Sequence, residues 1–129
     1  MTKTQEAREK SVPAIADELR LAADAAFSKK ATNVVVLDLR KVPSFTDYFL
    51  LCSTQHQRQA QAVAEAIEEV IRKTGVKPAH VEGYGRSDWI LLDYFTFVIH
   101  VFTREAREFY GLERLWGSAE RIELADCPA

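Results

Sequence analysis

Asp88-Trp89-Ile90-Leu91-Leu92-Asp93-Tyr94-Phe95-Thr96-Phe97-Val98-Ile99-His100-Val101-Phe102-Thr103 is the stretch on which the fold turns. Trp89 to Phe95 and Thr96 to Thr103 are two runs of aromatic and branched side chains. Such residues suit a pleated surface better than the crowded turn of a helix. Upstream, Gly83, Gly85, Ser87 and Asp88 form a turn region, preceded by a weaker strand from Ala79 to Tyr84. Few residues separate these three strands, which predicts a meander. Downstream, Thr103 can cap a short helix, Arg104 to Tyr110, stopped at Gly111. Leu112, Leu115 and Trp116 continue it by one more turn.

The first half of the chain completes the pattern. Val12, Ile15, Ala16, Leu19, Ala23, Ala26 and Phe27 follow helical spacing, which predicts an amphipathic helix over Ser11 to Lys30, with Ser11 as cap and Pro13 in the first turn. Asn33 to Leu39 reads as a buried strand, and Asp47 to Ser53 as a second. The short connection through Pro43 and Ser44 makes an antiparallel pair. Thr54 and Gln57 form a capping box for a helix carrying Ala60, Val63, Ala64, Ile67, Val70 and Ile71, closed by Gly75. The order α-β-β-α-β-β-β-α predicts an α/β (α+β) single domain, a mixed five-stranded sheet flanked by helices. Residues 1–10 read as a flexible leader, 11–117 as the domain and 118–129 as a C-terminal tail.

The 129 residues suit one domain with one core. With 17 basic and 19 acidic side chains the formal net charge is −2. A domain built to grip nucleic-acid phosphates is usually basic, so this balance disfavours an RNA-binding module and direct DNA contact, and favours a protein partner, itself basic. Cys52, in an apolar run, and Cys127, near the C-terminus, lie at no zinc or disulfide spacing. Met1 to Lys10 holds no apolar signal core, and no run approaches the ~18 apolar residues of a membrane span. A cytoplasmic protein with reduced thiols and no membrane contact is expected.

Four aspartates, Asp38, Asp47, Asp88 and Asp93, lie in or beside strands. Paired carboxylates can hold magnesium for nucleotidyl transfer, so a magnesium-dependent nucleotidyltransferase-like enzyme is the alternative reading. Asp88 and Asp93 are five apart, however, and an odd separation on a strand turns side chains to opposite faces, unless the first lies in the turn. No phosphate-cradling loop is present, and Gly83-Tyr84-Gly85 reads as a tight turn. Cys52 and His56 could form a thiol–imidazole pair, but Cys52 reads as a core residue and His56 as an exposed one in the next helix's first turn. His100 shares a face with Val98 and Phe102. His56 and His80 stand at no ligand spacing from it, so it reads as a core, edge or contact residue rather than a metal ligand. The expectation is no catalytic residue, no metal and no cofactor.

Trp89, Tyr94, Phe95, Phe97 and Phe102 crowd into fourteen residues, followed by Phe109, Tyr110 and Trp116. A chain this short can hardly bury all of them, and an exposed aromatic patch bounded by charge marks a binding face. Trp89, after a turn and beside Asp88, reads equally as an anchor on that face and as a cap on the core.

Ser44-Phe45-Thr46-Asp47-Tyr48-Phe49, Glu82-Gly83, Asp88-Trp89-Ile90-Leu91-Leu92-Asp93-Tyr94, His100-Val101-Phe102 and Glu108-Phe109-Tyr110-Gly111-Leu112-Glu113-Arg114-Leu115-Trp116, in that order, resemble the Iojap family of ribosomal silencing factors. The likeness runs from about Ser11 to Trp116. It implies a nucleotidyltransferase-like fold without the catalytic apparatus. It implies binding to a large-subunit ribosomal protein of the L14 type on the inter-subunit face, steric blocking of subunit association, and repression of translation under nutrient limitation. The family's contact residues map onto Asp88, Trp89 and Asp93, and further onto Tyr94, His100 and Phe102. Exposed apolar surface allows a homodimer away from the ribosome. The chain departs from the family in two places. Ser53-Thr54-Gln55 lacks the glycine often found after the cysteine-bearing strand, and Phe95-Thr96 stands where a Gly-Asp turn is usual.

Overall fold

Two apolar faces on the central strands, rather than one, dictate a layered arrangement. In the computed structural model, which describes residues 16–125, the elements are α1 (Ala16–Ser28), β1 (Thr32–Asp38), β2 (Tyr48–Thr54), α2 (Gln57–Arg72), β3 (His80–Glu82), β4 (Trp89–Asp93), β5 (Phe97–Thr103), α3 (Arg104–Tyr110), α4 (Leu112–Leu115) and β6 (Glu120–Glu123). They build one mixed sheet of order β3-β4-β5-β2-β1-β6. β2 and β5 run parallel, Tyr48 opposite Phe97 through Thr54 opposite Thr103, and every other neighbouring pair is antiparallel. α2, with the β3–β4 hairpin, forms the crossover that parallel neighbours require. The expected β1–β2 pair and β3–β4–β5 meander are both present.

β2 and β5 are buried at all seven positions, which is why they read as unbroken apolar runs. Val34, Val36, Leu50, Cys52, Ile90, Leu92, Ile99 and Val101 turn to one face and pack beneath α1 and α2. Val35, Leu37, Phe49, Leu51, Val98 and Phe102 turn to the other, where Ala106 of α3, Leu112 of α4 and Trp116 cover them.

The sheet has six strands, not five. Glu120-Arg121-Ile122-Glu123, in the segment read as a tail, pairs antiparallel with β1, Val35 opposite Glu123 through Asp38 opposite Glu120. Three charged side chains in four residues carry no apolar alternation. The free edge of β1 supplies the reason for the strand, and only Ile122 turns into the core.

Local chemistry sets the element ends. α1 closes with Lys30 in the left-handed region (φ 70°), the Lys30 and Ala31 amides donating to the Phe27 and Ala26 carbonyls, a Schellman arrangement built without glycine. Ser11 and Pro13, expected at its start, lie outside the described residues. α2 is capped two residues later than expected. His56 Nδ1 accepts from the Gln59 amide (3.1 Å) while Gln59 Oε1 accepts from the Gln55 amide (2.7 Å). Thr54 stays in the sheet and its hydroxyl donates to the Phe102 carbonyl. Thr103 and Gly111 cap the two ends of α3 as expected, with Gly111 left-handed.

Candidate functional site

Helices cover one face of the sheet fully but the other only in part. On that second face α3, α4 and Trp116 lie over β5, β2 and β1, leaving β4 and β3 toward solvent. Alternation along β4 therefore matters. Ile90 and Leu92 are buried beneath the helices, whereas Trp89, Leu91 and Asp93 are half-buried on the open side, with His80 of β3 opposite Asp93 and Glu82 opposite Leu91.

Trp89 forms the centre of this surface. Its indole packs on Phe102 (ring centroids 5.0 Å apart) and on Tyr110 of α3 (4.9 Å), and its Nε1–H donates to His100 Nδ1 at 3.0 Å. Phe49 sits beneath, 4.5 Å from the His100 ring and 5.5 Å from Trp116, and Phe45 lies 6.0 Å further out. Phe45, Phe109, Tyr110 and Leu115 are exposed. An aromatic band thus runs from the β1–β2 loop to the end of α3. Gly83 lets the backbone at the start of β4 come close: a Cβ there would stand 2.0 Å from the Trp89 carbonyl oxygen.

The expected site residues separate into three groups. Trp89 and Asp93 share the open face, with Asp93 Oδ1 accepting from the Phe95 amide at 2.9 Å. Asp88 sits at its rim, where Oδ1 accepts from Gln57 of α2 (2.6 Å) and Oδ2 faces Arg86. His100 and Phe102 lie under Trp89, buried, and form its floor rather than the surface itself. Burial pushes the His100 imidazole down to about 3, so the ring is neutral. With Nδ1 accepting, the proton resides on Nε2, which is buried and has no hydrogen-bond partner among the described residues. Tyr94 is a correction. It is only 5% exposed and stacks on Phe97 (4.9 Å) in the layer beneath α1 and α2, because it continues the alternation of Ile90 and Leu92. It is absent from the face that bears Trp89.

Sequence reasoning passed over Leu91, Tyr110, Phe109 and Leu115 as site residues. Leu91 was legible from strand parity with Trp89, and Tyr110 from its place one helical turn beyond the buried Ala106. Asp38 pairs with Arg40, which holds it below the usual carboxylate range, and Asp88 and Asp93 lie at opposite ends of β4. Among the described residues no three His, Cys, Asp or Glu side chains are grouped to hold a metal. Cys52 is fully buried, its thiol pushed up to about 12 by burial, and the His56 Nδ1 is engaged in capping α2.

This geometry defines a single-domain α+β protein whose mixed sheet is clad by helices on one face and half open on the other. A family model described as ribosomal silencing factor during starvation matches residues 12–129. A ribosomal silencing factor of Halalkalibacterium halodurans is 38% identical over 82% of this chain and 91% of its own. The chloroplastic protein Iojap of Zea mays is 33% identical over 79% of this chain and 44% of its own. A crystal structure of a Chromobacterium violaceum protein superposes with a TM-score of 0.76 at 26% identity, covering 89% of this chain and 90% of the other. The chain belongs to the ribosomal silencing factor family, a family of translation regulators that includes Iojap.

Proposed function

We propose that this protein silences translation without catalysis, by docking on a large-subunit ribosomal protein of the L14 type and excluding the small subunit by volume. The support is the half-open face around Trp89, where Trp89, Leu91 and Tyr110 present an apolar centre and Asp93, Glu82 and, at the rim, Asp88 present acid. An aromatic anchor within a charged border is how binding energy concentrates at protein interfaces. A net charge of −2 suits a basic protein partner better than bare RNA phosphate. His100 and Phe102 support the anchor from below. Docking of this kind acts by mass action: at ~100 times the dissociation constant about 99% of sites are filled, equivalent to ~2.7 kcal/mol against subunit joining.

The same reading puts the protein in the cytoplasm, with a working domain that extends past the expected 11–117 to take in β6. Its exposed aromatic band allows a homodimer when no ribosome is engaged. Sucrose-gradient sedimentation with separated subunits tests it. The protein should travel with the large subunit, and its presence should reduce the peak of joined ribosomes. Migration apart from the large subunit, or undiminished joining while bound, overturns the proposal.

A further inference from the structure

We infer that His100 is a positioning residue for docking: its Nδ1 takes the Trp89 indole N–H and so fixes the ring across Phe102 and Tyr110, presenting its π surface and not its donor to the partner. The inference rests on the proposed docking through Trp89 and adds which group sets the geometry of the anchor.

Trp89 is one residue from a turn and on the strand next to the sheet edge, where a large ring has more than one staggered position available. Phe102 supports the indole from below, but Tyr110 on its other side is itself half exposed. The bond to His100, diagonally across β4 and β5, does select one. Leu91 is directly opposite His100 and Trp89 opposite Phe102, so the indole must lean along its strand for Nε1 to come within 3.0 Å of Nδ1. The acceptor is itself held rigid, 97% buried between Phe49 and Phe102. An imidazole in so apolar a place, its second nitrogen without a partner among the described residues, is costly to keep unless the acceptor it offers is needed. With the only polar atom of Trp89 turned inward, a partner meets the indole as an apolar and quadrupolar surface, suited to an aliphatic chain or a cation rather than a hydrogen-bond acceptor.

The test compares His100→Phe, which keeps an aromatic ring but removes the acceptor, with His100→Asn, whose amide oxygen can stand where Nδ1 stands. The first readout is hydrogen exchange at the Trp89 indole N–H, assigned with Trp116→Phe. It should speed up at least ~10-fold in His100→Phe and stay protected in His100→Asn, the scale of one net hydrogen bond. The second is affinity for purified large subunits, expected to fall ~10-fold in His100→Phe and to be restored within ~3-fold in His100→Asn. On a Trp89→Phe background, which has no indole donor, the two His100 variants should bind alike. A purely packing role would preserve their difference there and overturns the inference. So does unchanged indole exchange in folded His100→Phe. Should His100→Phe not fold, the His100→Asn and Trp89→Phe arms decide: loss of indole protection in His100→Asn, or a ring orientation unaltered by Trp89→Phe with full affinity, overturns it. Wild-type binding by Trp89→Ala instead removes the docking reading on which it stands, whereas weakened Trp89→Ala with unweakened His100→Phe overturns the positioning role alone.

Discussion

Arg107 closes a two-pronged bridge on Glu113, its Nε and Nη2 each 2.9 Å from one carboxylate oxygen. The remaining Nη1 reaches the Asn33 carbonyl (2.6 Å) and Ser53 Oγ (2.9 Å), and Glu113 also accepts from Arg121 of β6. One buried guanidinium therefore ties α3 to the start of β1, the end of β2, α4 and the added edge strand. It holds in place the helix that carries Tyr110.

Removing that guanidinium should be expensive. Arg107→Met leaves the Asn33 carbonyl without this donor and the Glu113 carboxylate with Arg121 alone, and we expect a loss of about 3 kcal/mol in stability, read by urea denaturation. Pairing with Arg107 holds the Glu113 carboxyl down at about 2, against 4.5 ordinarily. The group is charged in the folded state while the unfolded chain takes up a proton, so its contribution is present above pH 4.5 and lost as pH falls toward 2. Glu113→Gln should flatten the stability profile in that window. An unchanged slope would remove Glu113 from the account.

His100 acts in a different window. Its folded value of about 3 lies below the ordinary 6.5 because burial disfavours the charged ring. Between those values the unfolded chain binds a proton that the folded protein refuses, so stability rises with pH from 3 to 6.5 and is complete above. Denaturation midpoints between pH 5 and 6.5, above the Glu113 window, should fall on acidification in the wild type and vary less in His100→Asn. Equal slopes would show that the imidazole is charged in the fold.

The turn from β4 to β5 should be improvable. Phe95 holds φ at 74° with its ring 75% exposed, so a side chain with little packing sits where glycine is most at ease. Phe95→Gly should raise stability by ~1 kcal/mol without changing large-subunit binding, as thermal denaturation and sedimentation will report. A loss of affinity would show instead that the exposed ring takes part in docking.

Docking itself has a direct test. Trp89→Ala should weaken binding to large subunits by at least ~30-fold, ~2 kcal/mol. Asp93→Asn, which keeps an acceptor for the Phe95 amide, should slow association and reduce its dependence on salt while the fold is retained. Salt-independent loss at Asp93 would argue for a structural role there.

The sequence by itself determined most of the elements and their kinds. Strand and helix periods differ, and caps such as Thr103 and Gly111 are local chemistry within a few residues. It also singled out Trp89, whereas Asp88 lies in the turn before β4, where strand parity with Asp93 does not apply. Only the tertiary structure decided that Glu120–Glu123 is a strand, since its cause is the open edge of β1, far earlier in the chain. Strand parity already parts Tyr94 from Trp89 and Leu91, but only the tertiary structure decided which of those two faces α1 and α2 cover. Which face of a sheet stays uncovered depends on where helices distant in sequence come to rest, and no period within a strand records that.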